Sequence, residues 1–176
     1  ANEPGEDDPT VLRFQPNLRL LKRITDARRG GQPIGNVNFG SFINDSDVAA
    51  DINTAGLTPT GVIQIEQNNP LQSGDEVEYT VYFISDGAQP VTNVKLCDPI
   101  PEGTNFVAGS IALNLPAALG NPTPNFVSNL NLNPPFSSPP CSDPNNSNGA
   151  VLVELGDVPS NRPNNVGFVR FRVRIE

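Results

Sequence analysis

The stretch GDEVEYTVYFISDGAQPVTNVKLCDPIPEGTNFVAGS, residues 74–110, decides the fold. In its first half Val77, Tyr79, Val81 and Phe83 share one parity, and Glu78, Thr80 and Tyr82 share the other. A period of two among β-branched and aromatic residues predicts a strand with one buried and one solvated face. A turn over residues 85–90 precedes a second strand, in which Val94, Leu96 and Asp98 point inward. The stretch contains no catalytic motif.

The remaining strands follow the same pattern on either side of this pair. We expect them over residues 17–25, 61–67, 111–116, 150–155 and 167–175, with one helical turn over residues 47–53. The chain has 19 Pro and 15 Gly, and residues 116–149 form a long proline-rich loop. Short strands joined by such loops favour an all-β sandwich.

Several short motifs of the central stretch carry a family resemblance. They are Gly74-Asp75, Tyr79-Thr80, Asp86-Gly87, Asn93-Val94, Asp98, Pro101-Glu102-Gly103-Thr104, Phe106-Val107 and Gly109-Ser110. The chain resembles the conserved repeat domain of bacterial surface proteins known as domain of unknown function eleven, in a version similar to exported cyanobacterial proteins. The resemblance implies an immunoglobulin-like β-sandwich on the cell surface or in extracellular fibres, and it carries over no catalytic residue.

The charge of the chain is unevenly distributed. The net charge of −8 argues against a nucleic-acid partner, which requires a basic surface. Ten of the eleven basic residues lie in residues 13–29 or 162–174. We expect the first and last strands to be neighbours that share a solvated basic face. The alternative is a surface on which subunits stack, basic against acidic.

The N-terminal residues differ in composition from the rest of the chain. Residues 1–10, ANEPGEDDPT, are acidic, proline-rich and without periodicity, so they cannot order themselves by burying apolar surface. Residues 10–15 then alternate, with Leu12 and Phe14 on one side and Val11 and Arg13 on the other. We predict an arm, residues 1–16, whose short strand adds to a neighbouring subunit, and a single domain, residues 17–176. The alternative is pairing with the edge of its own domain.

Lys22 shares the parity of Leu18, Leu20 and Ile24, which places it on the core face of its strand. A buried ammonium is costly unless it is paired or neutralised. Three outcomes are open: the side chain extends to the rim of the sheet, it pairs with inward-facing Asp98, or it forms an intramolecular isopeptide bond.

Cys97 and Cys141 are the two cysteines of the chain. In an exported protein we expect them to form a disulfide, with free thiols or intermolecular bonds as the alternatives. Closing this 44-residue separation removes about 4 kcal/mol of loop entropy from the unfolded state.

Asn44, Asp45, Asp47 and Asp51 raise the question of a calcium site, but the Gly and distal Glu of a helix-loop-helix calcium loop are missing. We expect a solvated acidic loop and no cofactor. The chain has no His, which excludes Ser-His-Asp and Cys-His nucleophilic sites. It also has no Trp and only two Tyr, which disfavours a sugar-cleaving cleft, so we expect no enzyme.

The chain begins at Ala1 and contains no Met, so we expect export with a cleaved signal peptide, although trimming or a fragment would look the same. No apolar run approaches the roughly 18 residues of a membrane helix. The function we expect is a structural subunit of an extracellular filament or surface layer that assembles with copies of itself. The alternatives are a monomeric adhesion or carbohydrate-binding module and a spacer domain of a larger surface protein.

Overall fold

The computed structural model describes residues 16–35, 37–40, 61–62, 65, 70–128 and 148–176. These ranges contain strands β1 (Leu18–Arg29), β2 (Gln32–Pro33), β3 (Glu76–Ser85), β4 (Val91–Pro99), β5 (Thr104–Phe106), β6 (Ala112–Asn114), β7 (Asn125–Val127), β8 (Ala150–Val158) and β9 (Val166–Ile175). A single turn of 3-10 helix, Ala117–Leu119, lies between β6 and β7. No helix of the described ranges is long and apolar enough to cross a membrane.

The strands form two antiparallel sheets. The first sheet has the order β2-β1-β3-β9-β5, with β6 also paired to β9, and the second has the order β4-β8-β7. The chain crosses between the sheets after β3, β4, β6 and β8. The prediction of an all-β fold is confirmed.

The main core lies between the two sheets. Val81 and Phe83 of β3 and Phe171 of β9 belong to one cluster with Leu96 of β4 and Val153 of β8, and all five are buried. The alternation of β3 and β9 places these side chains on one face of the first sheet. Burying each such side chain stabilises the fold by about 1.5–3 kcal/mol relative to exposure.

The predicted solvated face of β3 is not solvated. Tyr82 is 1% exposed and Thr80 is fully buried, although both have the parity opposite to the core residues. β3 is an interior strand, with β1 on one side and β9 on the other. Tyr82 packs there with Leu21 and Ile84, and its ring meets that of Phe168 edge-on at 5.6 Å. The expectation of one wet face was therefore wrong for this strand.

The expectation that the first and last strands are neighbours was also wrong. β3 pairs with β1 on one side and with β9 on the other, so it separates the two basic segments. β3 brings Glu76 and Glu78 into line with Arg174 and Arg172 of β9. The face that β3 and β9 share therefore carries ion pairs and is not uniformly basic.

A β-bulge in β1 changes the side to which its residues point. Ile24 pairs with Tyr79 and Asp26 with Glu78, so Thr25 is the extra residue. Its hydroxyl lies 2.8 Å from that of Thr80 and donates to Glu78 at 3.0 Å, so this position is filled by buried polar contacts.

Two short strands lie in segments that showed no clear alternation. β5 pairs with the C-terminal half of β9, and β7 pairs with the beginning of β8. The rings of Phe106 in β5 and Phe126 in β7 stack with centroids 4.2 Å apart, which attaches the start of the proline-rich loop to the sheets. The predicted strand over residues 10–15, the helical turn over 47–53 and most of the predicted strand over 61–67 lie outside the described residues.

Candidate functional site

The predicted assembly residues Val11, Leu12, Arg13 and Phe14 lie outside the described residues, which begin at Pro16. The amide of Asp86 donates to the carbonyl of Asn17 at 3.2 Å, and Pro16 bridges to Gln89. Residues 16 and 17 therefore pair with the segment that follows β3, and not with the other edge of β1.

Among the described residues, one edge of β1 has no strand paired to it over residues 18–23, and we call it the open edge. Ile24 exchanges two backbone hydrogen bonds with Val62, at 2.9 and 2.8 Å, so the amide and carbonyl of Ile24 point away from β3. Because these groups alternate along an antiparallel strand, those of Leu20 and Lys22 point the same way. Within the described part of the chain no strand pairs with residues 18–23 on this side.

Gly61 marks the place where this open edge ends. Its φ is +68°, and a Cβ at this position would lie 2.7 Å from the carbonyl oxygen of Ile24. Only glycine allows the backbone to approach β1 this closely in this conformation. The contact of residues 61 and 62 thus closes β1 at Ile24. Of the residues before it, Leu20 is exposed, whereas Leu21 and Arg23 are buried.

Leu20 lies at the centre of the open edge. The residue is 58% exposed. Among the described residues it is the only large hydrophobic residue that is exposed. It lies directly opposite Phe83, which is fully buried. Parity alone predicted a core position for Leu20, and nothing in the sequence indicated that no described strand pairs with the edge beside it.

β4 forms the corresponding edge of the second sheet, but its geometry is irregular. The register with β8 shifts twice between Val91 and Lys95, and Asn93 has a φ of +54°. Bulges of this kind twist an edge away from further pairing. The edge of β1 from residue 18 to residue 23 has no such shift, and it is therefore the better site for an added strand.

The structure brings Lys22 and Asp98 together. Lys22 Nζ lies 2.8 Å from Asp98 Oδ1 and 4.4 Å from the centre of the Tyr79 ring, with the Phe171 ring on a further side at 5.6 Å. The side chain of Lys22 is 35% exposed and that of Asp98 is 12% exposed. Lys22 therefore reaches a carboxylate of the second sheet while its ammonium stays at the margin of the core.

The environment of Asp98 opposes its ionisation. Burial raises the pKa of this carboxyl above its usual value, and the charge and hydrogen bond of Lys22 act in the opposite direction. The other oxygen, Oδ2, is buried without a hydrogen-bond partner. Burial, together with the nearby charge of Asp98, also raises the pKa of Tyr79. Lys22 is thus the group that stabilises a charged Asp98.

The outer face of the first sheet carries a network of ion pairs. Glu78 accepts from Arg172 at 3.2 Å and lies 3.3 Å from Arg170, and Asp26 pairs with Arg28 at 2.6 Å. Arg172 also lies 3.6 Å from Asp26. The acids that neutralise these arginines belong to the same chain, so this face gives no support to basic-against-acidic stacking of subunits.

Asp75, from the Gly74-Asp75 motif of the family resemblance, has a structural role at the turn before β3. The carboxylate of Asp75 accepts two hydrogen bonds from Arg29, at 2.9 and 2.7 Å, and one from the amide of Gln72 at 2.8 Å. The Arg29 hydrogen bonds lower the pKa of Asp75, against the effect of burial. The backbone of Asp75 accepts from Ile175, which fixes the end of β9 to the start of β3.

Cys97 lies half-buried on β4, opposite Leu152, and its thiol is not free. Cys141 lies outside the described residues, so the pairing of these two cysteines stays a prediction.

The calcium candidates Asp45, Asp47 and Asp51 also lie outside the described residues. In the ranges that are described, no group of three or more Asp, Glu, Cys or His side chains is arranged to hold a metal ion.

Comparisons with protein-family models, with curated proteins and with solved structures found no match to this chain. The family resemblance in the central stretch therefore stays a prediction.

Proposed function

We propose that this chain is a non-enzymatic structural subunit of an extracellular filament or surface layer, exported with a cleaved signal peptide. In this proposal the domain is an immunoglobulin-like sandwich, and the arm of one subunit, residues 1–16, adds a strand to the open edge of β1 in the next. The observation that carries the proposal is the regular edge of β1 over residues 18–23, with which no strand of the described residues pairs and at whose centre Leu20 is exposed. On this edge the carbonyl of Lys22 accepts a hydrogen bond from Nη1 of Arg23 at 2.8 Å.

Two further observations support strand addition between molecules. Pro16 and Asn17 still pair with the segment that follows β3, so these two residues lie on the β3 side of β1 and not on its other edge. The arm also has the alternation that a donor strand needs, because Leu12 and Phe14 share one side and can cover the exposed Leu20 of the acceptor.

A disulfide between Cys97 and Cys141 belongs to the same proposal. It would fasten the proline-rich loop to β4 in the second sheet, away from the β1 edge. A bond placed there restrains the loop without occupying the surface on which the next subunit docks.

The test is sedimentation velocity of the full chain and two charged variants. Leu20→Lys places a cation on the open edge, and charged residues at an edge discourage strand addition. Thr92→Lys is the matched control, because Thr92 is exposed on β4, at the edge of the other sheet. We expect wild type and T92K to assemble and L20K to remain monomeric. Equal assembly of all three, or a monomeric wild type, would overturn the proposal, and a monomer would favour an adhesion or carbohydrate-binding module.

A further inference from the structure

The open edge carries one charged side chain on the face that is turned toward the second sheet. Residues 18, 20 and 22 share this face, and of these three Lys22 is charged. In the register Leu20 lies opposite Phe83 and Lys22 lies opposite Val81, which are both buried core residues. Because every second residue of a strand lies on the same face, a strand added to the open edge lies beside both Leu20 and Lys22.

An added strand reduces the access of solvent to Lys22. The side chain of Lys22 is 35% exposed in the single chain. Side chains on one face of adjacent strands have Cβ atoms about 4.5–5.5 Å apart, so a side chain of the added strand replaces part of the water around Lys22. Covering a cation in this way is unfavourable unless a partner compensates its charge.

Asp98 of β4 compensates the charge of Lys22. Its Oδ1 lies 2.8 Å from Lys22 Nζ, and its own side chain is 12% exposed. Within the part of the chain that the structure describes, no other carboxylate pairs with Lys22. The rings of Tyr79 and Phe171 attract the ammonium but carry no charge. The free energy needed to cover Lys22 therefore depends on whether Asp98 is ionised.

The surroundings of Asp98 make its negative charge easy to lose. Among the described residues, the charged and titratable groups that face it are Lys22 from β1 and Tyr79 from β3. The neighbouring side chain on β8 is the apolar Val151, and β9 contributes the ring of Phe171 beside the ammonium. Asp98 Oδ2 is buried without a hydrogen-bond partner. Burial raises the pKa of this carboxyl above its usual value, although Lys22 acts in the opposite direction.

We infer that strand addition at the open edge requires the ionised carboxylate of Asp98, so that acid releases the added strand, an inference that rests on the proposed strand addition. While Asp98 is charged, the added strand covers an ion pair. Once Asp98 has bound a proton, the added strand covers an ammonium without a counter-ion. An uncompensated charge at the edge of a sheet discourages further pairing.

The direction of the pH effect follows from proton binding. Lys22 stays charged in acid, and in the free subunit water hydrates its exposed part. In the assembly the covered ammonium depends more strongly on the carboxylate, so Asp98 binds a proton there less readily. The added strand changes the hydration of Asp98 itself little, because Asp98 is already buried. Proton uptake at Asp98 therefore favours the free subunit, and association weakens as the pH falls through the native pKa of Asp98.

The experiment measures self-association of the full chain by sedimentation velocity, from neutral pH down to about pH 4, near the ordinary pKa of an aspartate. The first variant is Asp98→Asn. Glu154→Gln is the matched control, because Glu154 is a carboxylate of the second sheet that also lies near a lysine, Lys95, at 3.5 Å. Glu154 lies between the core residues Val153 and Leu155, so it points away from the first sheet.

At neutral pH we expect D98N to associate about fivefold to tenfold more weakly than wild type, between the small effect of an exposed ion pair and the large effect of a buried one. E154Q should stay within about twofold of wild type. The difference between wild type and D98N should disappear as the pH falls, because Asp98 of wild type then becomes neutral as well. Carboxylates that the two proteins share titrate in both and cancel in this comparison.

Lys22→Met tests the same inference without relying on the folding of D98N. This variant has no ammonium to cover, so protonation of Asp98 should not weaken its association. The association constant of wild type divided by that of K22M should therefore fall on acidification, whereas the ratio of wild type to E154Q should stay constant.

The outcomes separate this inference from the proposal beneath it. If wild type assembles and L20K does not, while D98N and K22M follow the pH dependence of wild type and E154Q, Asp98 has no role in assembly and strand addition stands. If wild type itself stays monomeric at neutral pH, strand addition fails and the role of Asp98 fails with it.

Discussion

Lys22 on β1 and Asp98 on β4 form a salt bridge between the two sheets, with Nζ 2.8 Å from Oδ1. The two side chains are more than a third and about one-eighth exposed, so solvent screens the lysine far more than the carboxylate. The bridge occupies a position that the pattern of β1 assigns to an apolar residue. The bridge therefore stabilises one arrangement of the two sheets, and removing one partner leaves the other in a poor environment.

Lys22→Met should lower the free energy of unfolding by about 1–3 kcal/mol at neutral pH, less than for a fully buried pair because the lysine is partly exposed. Asp98 already has a raised pKa, and the loss of Lys22 raises it further. The native state of the variant then binds a proton more readily than the unfolded chain, so its stability should increase as the pH falls from 7 through this native pKa. Urea titrations at several pH values measure this pH dependence. The control is K22M/D98N, which should lose less stability than K22M and should not become more stable as the pH falls. A K22M variant as stable as wild type at pH 7 would contradict the role given to the bridge.

The same bridge yields a prediction about covalent chemistry. The two groups form an ion pair in the structure, so the intact mass of the reduced chain should equal the mass calculated from its sequence. A mass lower by one water molecule, abolished by Lys22→Met, would show that an isopeptide bond forms between Lys22 and Asp98 instead.

Asp75→Asn should destabilise the fold by about 1–2 kcal/mol at pH 7, because the buried carboxylate loses its charge-assisted hydrogen bonds. The native pKa of Asp75 is lowered, so its contribution is complete above the unfolded pKa and disappears as the pH falls through the native value. The difference between wild type and D75N should therefore shrink in strong acid. Urea unfolding of both proteins across this range is the measurement, and a difference independent of pH would contradict the assignment.

The disulfide between Cys97 and Cys141 is tested by intact mass. Without reducing agent the monomer should be lighter by two hydrogen atoms than after reduction. Cys97→Ser/Cys141→Ser should then lose up to about 4 kcal/mol of stability on the chain-entropy model. Free thiols, or a dimer that dissociates on reduction, would show that the two cysteines do not pair within one chain.

The sequence predicted the strands whose alternation is strict, and β3 and β9 were recovered almost to their ends. It also placed Lys22 and Asp98 on facing surfaces, because parity alone determines on which side of a strand each residue lies. The order of strands is not encoded locally, so β3 between β1 and β9 was missed. For the same reason the sequence analysis missed the burial of Tyr82 and the ion pairs that neutralise the arginines of β9.

The candidate site was less accessible to sequence analysis. A bulge adds one residue without changing the composition, so the shift at Thr25 could not be read from the pattern. The exposure of Leu20 reflects the lack of a neighbouring strand among the described residues, and strand order is a property of the sheet as a whole. The turn residues around Asp75 were recognised as motifs, but their part in fastening β9 became clear only from the contacts.

The central claim is that the arm of one molecule covers the edge of β1 in another, and amide hydrogen exchange at Leu20 and Lys22 tests it most directly. The amides of both residues point toward this edge, whereas those of Leu21 and Arg23 point toward β3 and serve as internal controls. In assembled wild type we predict slow exchange at Leu20 and Lys22, and fast exchange at both in Leu12→Lys/Phe14→Lys, with the control amides protected in each. Equal exchange at Leu20 and Lys22 in the two proteins would contradict strand addition at this edge.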